Sequence, residues 1–227
     1  LKDRLYTFAP NNRARRSAQT AVYRIARALL SLATPITVFT AEEIWRHFPR
    51  VAGDPESAHL AFFPSAESFG NPLDAAKAAK WEKLLAVRTE VLRALEAARN
   101  AKTISGALEA KITLSAGSDL APLLEQYKAW LPALFIVSQV ELAASAPAEA
   151  QKSETLAGLR VAVSRADGAK CERCWNYSTH VGESADYPTV CERCVKALGE
   201  IEQSLAESGR AGSQGTASSG AGSTSMS

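Results

Sequence analysis

No run of eighteen apolar residues occurs in this 227-residue chain, so no stretch is long enough to cross a bilayer as an α-helix. G-x-x-x-x-G-K-[ST], a Gly-rich dinucleotide fingerprint and H-E-x-x-H are also missing. The sequence therefore offers no familiar phosphate cradle and no two-histidine metalloprotease site. Histidine is scarce: His47, His59 and His180 stand in unrelated surroundings, and no nucleophilic triad can be drawn from them. Carboxylates such as Glu42-Glu43 suit helix-capping and first-turn dipole roles better than acid–base work. Nothing in the chain reads as an active site. The only methionine is Met226 and the first residue is Leu1, so the chain reads as the C-terminal piece of something longer. Cysteine appears four times, always beyond residue 170.

What is present is an ordinary globular composition, with 46% hydrophobic and 7% aromatic residues. This length allows one to three domains and a sizeable core. The net charge of +2 conceals an asymmetry. Residues 1–50 hold nine Lys/Arg against three Asp/Glu, while the remainder holds 17 against 21. A basic end is a mild pointer to a polyanion, though a charge excess of this size is also what a solvated helix face carries.

The four cysteines form two C-x-x-C pairs, Cys171/Cys174 and Cys191/Cys194, separated by sixteen residues. Two such knuckles can close a tetrahedron of thiolates around one metal at about 2.3 Å, the geometry of structural zinc. Four sulfur ligands leave no position for water, so the metal would hold structure and do no chemistry. The loop between the pairs has no long apolar run and needs the ion to order it. A rubredoxin-like iron site shares the spacing. A thioredoxin-like redox pair would want a βαβ context, and two disulfides would want an oxidising compartment. His180 lies inside the loop, but the cysteines already complete the shell.

In chain order, residues 1–10 read as a short extended opening, and Pro10-Asn11-Asn12 as a turn and N-cap. Arg13–Ala33 reads as a helix in which Val22, Ile25, Leu29 and Leu32 recur at helical spacing. After Pro35, Thr40-Ala41-Glu42-Glu43 reads as a capping box opening a second helix that Pro49 stops. Residues 73–102 form the longest helix, striped by Trp81, Leu84, Val87, Val91 and Leu95. Three such helices predict an antiparallel bundle over residues 1–104. The pattern then changes. Residues 111–114, 134–142 and 159–163 look like strands, with an amphipathic helix over 119–130, giving a small α/β junction unit over 105–166. A four-cysteine zinc-knuckle module occupies 167–200, and a short helix runs on to about Leu205. From Glu207 onward, twelve of twenty-one residues are Gly or Ser, so 201–227 reads as a helix end and a disordered tail. The expected fold class is mainly α.

Certain residues then stand together in a recognisable order. They are Leu1-Lys2-Asp3-Arg4-Leu5-Tyr6, Arg15-Arg16-Ser17-Ala18-Gln19-Thr20, Pro35-Ile36 and Phe39-Thr40-Ala41-Glu42-Glu43-Ile44-Trp45. Trp81, Arg88, Glu90-Val91, Leu95-Glu96, Arg99, Lys102, Ile104 and Leu108-Glu109-Ala110 follow, and both knuckles close the series. This series resembles the anticodon-binding helical domain and C-terminal zinc module of bacterial isoleucyl-tRNA synthetases, over about residues 1–198. Ile104-Ser105-Gly106 departs from the pattern, where the family usually puts glycine directly after isoleucine.

The resemblance implies a parent ligase that uses ATP to attach isoleucine to its tRNA and edits mischarged valine. It implies catalytic and editing domains upstream, since no HIGH-type or KMSKS-type motif appears in this chain. The fragment should then bind isoleucine tRNA, dock against the catalytic domain of its own full-length chain and make no aminoacyl-adenylate. It should also carry one zinc on Cys171, Cys174, Cys191 and Cys194, stay monomeric and off membranes, and work in the cytoplasm. Unpaired RNA bases are read by stacking on aromatics or guanidinium planes, with cations on the backbone. That makes Arg13, Arg15, Arg16, Arg173 and Trp175 the candidate tRNA contacts. Solvated surface for Arg15 and Arg16, and a hydrophobic lid over the zinc module for Trp175, are the bland alternatives. The competing function is a DNA-binding zinc finger like that of formamidopyrimidine-DNA glycosylases, which the helical motifs disfavour.

Overall fold

A computed structural model of the chain describes residues 1–69 and 73–215. About half of it is helical, and a four-stranded and a two-stranded sheet accompany the helices. The architecture is therefore mixed α/β, where the sequence led us to expect mainly α. The chain divides into two compact units, Leu1–Leu73 and Asp74–Ser227. No helix among the described residues is long and apolar enough to cross a membrane.

The first unit holds α1 (Lys2–Thr7), α2 (Arg13–Ala33) and α3 (Val38–His47). The opening residues are helical, contrary to the extended reading. The Thr7 hydroxyl bonds Asp3 O at 2.7 Å and closes the single turn. Asn12 caps α2 where expected, its Oδ1 accepting from the Ala14 N–H at 2.9 Å. α3 starts at Val38, so Thr40 and Glu43 lie inside the helix and form no capping box. Glu42 instead accepts from the Ser57 hydroxyl at 2.7 Å and the Ala58 N–H at 3.1 Å, pinning the loop that crosses over α3.

Trp45 is the centre of this unit, with none of its surface exposed, among Leu30, Ala41 and Ala58. Its indole N–H donates to Pro55 O at 3.1 Å, and the Arg27 guanidinium lies 5.4 Å from its ring. Arg27 grips both carboxylate oxygens of Asp54, which also accepts from the Val51 N–H at 2.8 Å. By contrast, Val22, Ile25, Leu29 and Leu32 of α2 stay exposed. The face of α2 that the unit buries is built from Ala18, Ala28, Leu30 and Ser31, mostly small side chains that let neighbours approach closely.

The second unit is built on α4 (Ala75–Asn100), capped by Asp74, whose Oδ1 accepts from the Lys77 N–H at 2.7 Å. The expected long helix is present, and within this unit it packs on a sheet. Its buried face of Leu84, Val87, Val91, Leu95 and Ala98 joins one core with Ile112, Leu114, Leu124, Phe135 and Val161. The sheet has the order β2-β1-β4-β3, formed by β1 (Ala110–Ser115), β2 (Gln139–Leu142), β3 (Gln151–Lys152) and β4 (Arg160–Arg165). β1 runs parallel to β2 and antiparallel to β4, and its side chains alternate between core and half-buried positions as a one-faced strand requires.

α5 (Ala121–Tyr127) and α6 (Leu131–Phe135) make the crossover from β1 to β2. The predicted strand over 134–142 therefore begins only at Gln139, because Leu131 and Phe135, one helical turn apart, are both wholly buried. β5 (Ala169–Lys170) pairs with β6 (Tyr177–Ser178), and α7 (Glu192–Gly215) follows. The predicted helix end near Leu205 is thus extended to Gly215, and the rest of the expected disordered tail, 216–227, lies outside the described residues.

The Arg27–Asp54 clasp yields a test with a defined sign. Bonding to Arg27, above all, holds the Asp54 carboxyl down at about 2. A carboxyl depressed below its unfolded value of about 3.9 contributes stability that is present above that pH and is lost as pH falls towards 2. Asp54→Asn should therefore cost the first unit about 1–3 kcal/mol at neutral pH. In urea titrations the gap from the parent chain should close between pH 4 and pH 2. An equal gap at pH 2 and pH 7 would contradict this role for Asp54.

Candidate metal centre and nucleic-acid interface

The first knuckle follows β5, and the second opens α7. In the first, Cys171 N–H donates to Asn176 O at 2.9 Å and Trp175 N–H donates back to Cys171 O at 2.9 Å, which turns the chain sharply around Cys171 and Cys174. In the second, the Cys194 and Val195 N–H groups both reach Cys191 O at 2.9 Å, so α7 begins at the metal side. All four sulfurs lie within 4.8 Å of one another. Cys174 Sγ and Cys191 Sγ are 3.7 Å apart, close to the edge of about 3.8 Å that a tetrahedron with 2.3 Å metal–sulfur bonds would have. The donor set and its spacing fit a structural zinc ion.

The thiols divide their charge unevenly. Hydrogen bonding from Cys194, above all, lowers Cys174 to about 4, while burial raises Cys191 to about 11. Cys194, the partner that donates to Cys174, is raised. The Cys191 N–H points at Cys171 Sγ at 3.3 Å, and Arg173 Nη1 lies 3.6 Å from Cys194 Sγ, so fixed donors already face the sulfurs. Around them Val190, Val181, Tyr187, Val195 and Leu198 make a miniature core.

The module is joined to the sheet by polar bonds that sequence reading did not foresee. The Ser138 hydroxyl donates to Leu108 O and accepts from the Tyr177 N–H at 2.7 Å. Gln139 pairs with both backbone groups of Asp167, at 3.0 and 2.9 Å. Ser138 and Gln139 sit where the sequence read as an apolar strand, so nothing marked them as a joint. Gly168 is the tightest point. Its φ is +87°, and a Cβ there would fall 2.3 Å from the Ser178 carbonyl carbon.

Of the candidate tRNA contacts, Arg173 and Trp175 flank Cys174 in the first knuckle. Trp175 is 62% exposed in the left-handed region (φ 66°), outside the module's apolar cluster, and the Lys170 ammonium lies 5.3 Å from its ring centre. Arg13, Arg15 and Arg16 open α2 in the other unit. Arg13 and Arg16 are exposed, while Arg15 is half-buried and donates to Phe8 O at 2.9 Å, bracing α1 against α2.

Residues 1–114 match the family described as the anticodon-binding domain of tRNA ligase, half of the chain. The chain belongs to that family. A second match, over residues 168–197, is to the zinc finger found in FPG and IleRS, and with the four-cysteine cluster it marks a metal site of the zinc type. Similar proteins named isoleucine–tRNA ligase come from Syntrophotalea carbinolica (48% identical, 87% of this chain, 21% of that protein), Glaesserella parasuis (46%, 89% and 22%) and Gloeobacter violaceus (46%, 87% and 20%). This member of the anticodon-binding family thus spans about a fifth of the length of the curated relatives it matches. It covers their anticodon-binding and zinc-finger part. The DNA glycosylase alternative shares only the finger, and the match over residues 1–114 decides against it.

Gly168→Ala checks the geometry of the centre. A methyl there meets the backbone of β6, in a conformation that costs a Cβ-bearing residue roughly 1–3 kcal/mol. Metal affinity should fall about ten- to a hundredfold while the α4–sheet core stays folded. Unchanged metal retention in a chelator competition would contradict the packing described.

Proposed function

We propose that this chain is the tRNA-reading C-terminal part of an isoleucine–tRNA ligase. The supporting observation is the ordered occurrence, in one chain, of the anticodon-binding match and the zinc finger. In this reading residues 1–104 are the helical anticodon-binding part, 105–166 the α/β junction, and 167–200 the metal module. Cys171, Cys174, Cys191 and Cys194 hold one zinc per chain, and the ion's task is to fix the knuckle backbone. Attachment of isoleucine to tRNA, with its ATP, belongs to the catalytic domain of the full-length chain, so this part alone activates no amino acid. The working protein is a cytoplasmic monomer.

The contacts follow from residue chemistry. Trp175 offers an indole face to an unpaired base, and the Lys170 ammonium beside the ring sits where a phosphate would follow. Arg173, with one guanidinium nitrogen near Cys194 Sγ, adds a fixed positive charge to the same knuckle. Arg13 and Arg16 add backbone contacts on α2. Arg15 steadies that end through Phe8 as well as adding charge.

Stacking on an aromatic is worth about 1–3 kcal/mol by alanine substitution. Trp175→Ala in the full-length ligase should therefore raise KM for isoleucine tRNA roughly ten- to a hundredfold, with zinc content and isoleucine-dependent pyrophosphate exchange unchanged. Equal loss with normal and anticodon-altered tRNA, together with reduced zinc, would make Trp175 a packing lid and overturn the stacking role.

A further inference from the structure

The two knuckles are the same four residues written twice. Cys171-Glu172-Arg173-Cys174 and Cys191-Glu192-Arg193-Cys194 both read C-E-R-C, although metal binding itself asks only for the cysteines and their spacing. The copies also share a backbone shape. The N–H just past each one donates to the carbonyl of its first cysteine at 2.9 Å, Trp175 to Cys171 and Val195 to Cys191. In both copies the glutamate is exposed and the arginine half-buried. Glu192 accepts from the Ser178 hydroxyl at 2.8 Å.

The two arginines are crossed. Arg173 Nη1, in the first knuckle, lies 3.6 Å from Cys194 Sγ, the last sulfur of the second. The Arg193 side chain, in the second knuckle, hydrogen-bonds the Cys174 sulfur, the last of the first. Each guanidinium thus reaches a sulfur of the other knuckle.

This crossing meets a charge requirement. Four thiolates around one divalent cation leave two negative charges uncompensated. Cys171, Cys191 and Cys194 are buried, and charge without a partner is costly there. A guanidinium is protonated at any working pH and carries several N–H donors in a rigid fork. On the four-cysteine zinc reading above, we propose that Arg173 and Arg193 are positioning residues of the metal centre. They form a crossed pair of counter-charges that neutralises the thiolate-bound ion and ties each knuckle to the other. Arg193, which spacing alone leaves without a task, is as necessary to the centre as Arg173.

Zinc competition with a chromophoric chelator, run on the 227-residue chain, provides the test. Arg173→Ala and Arg193→Ala should each weaken zinc retention about tenfold, and the double variant about a hundredfold. Arg173→Lys and Arg193→Lys keep the charge and should recover most of that loss. With cobalt in place of zinc, each alanine variant should shift the sulfur-to-metal charge-transfer band to lower energy, because a thiolate that loses a donor gives up electron density more readily. Parent-like zinc retention in the double alanine variant overturns the pairing. Equal losses in the alanine and lysine variants, with an unshifted charge-transfer band, also overturn it and leave the arginines as packing alone. If a Cys191→Ser/Cys194→Ser chain keeps its zinc, the four-cysteine reading falls instead.

Discussion

Four sulfurs held within 4.8 Å of one another repel as thiolates unless a cation sits among them, and the C-terminal part of the second unit depends on that requirement. Two unit charges about 4 Å apart differ by about 4 kcal/mol from isolation at an effective dielectric of 20. With several such pairs in one cluster, protons or a metal must neutralise it. Protonation leaves two knuckles and a loop with almost no apolar content beyond Val181, Tyr187 and Val190. A metal converts the same repulsion into four bonds and fixes the backbone on both sides, including the turn that carries Trp175.

From this centre order passes to the sheet through few atoms. The Ser138 hydroxyl, the Gln139 amide and the Asp167 backbone join the β5–β6 hairpin to the starts of β1 and β2. The α4–sheet core beneath has its own apolar cluster, separate from that of the knuckles. The first unit uses a different device. A wholly buried indole, a guanidinium beside it and a carboxylate that grips both guanidinium and loop do the work of a larger core. Each unit thus supplements a modest apolar core with one strongly directional polar or metal-centred arrangement.

Local signals were legible in the sequence wherever chemistry is local. The C-x-x-C spacing placed four sulfurs together, and Asn12 placed the start of α2. Signals that depend on a distant partner were misleading. The periodicity of α4 correctly gave a helix, but periodicity cannot say whether its stripe meets helices or a sheet. Thr40 and Glu43 have the spacing of a capping box, yet α3 starts earlier and Glu42 turns to Ser57. The Val22–Ile25–Leu29–Leu32 recurrence marked a helix, yet these residues stay exposed and smaller ones occupy the buried side. Ser138, Gln139 and Gly168 gave no signal, because their roles exist only once the hairpin sits against the sheet. The anticodon-binding identity was legible from the order of motifs along the whole chain, which no single element carries.

In the proposed reading, a cation among the four cysteines orders the surface offered to tRNA. The most direct test is a titration of isoleucine tRNA against this chain before and after chelation of its metal, followed by stepwise return of zinc. Affinity should drop on chelation, while helix content should drop only by the share of residues around the knuckles. One equivalent of zinc per chain should restore binding fully. Metal-free chain that binds isoleucine tRNA as tightly as the zinc-loaded chain would contradict a metal-ordered tRNA surface.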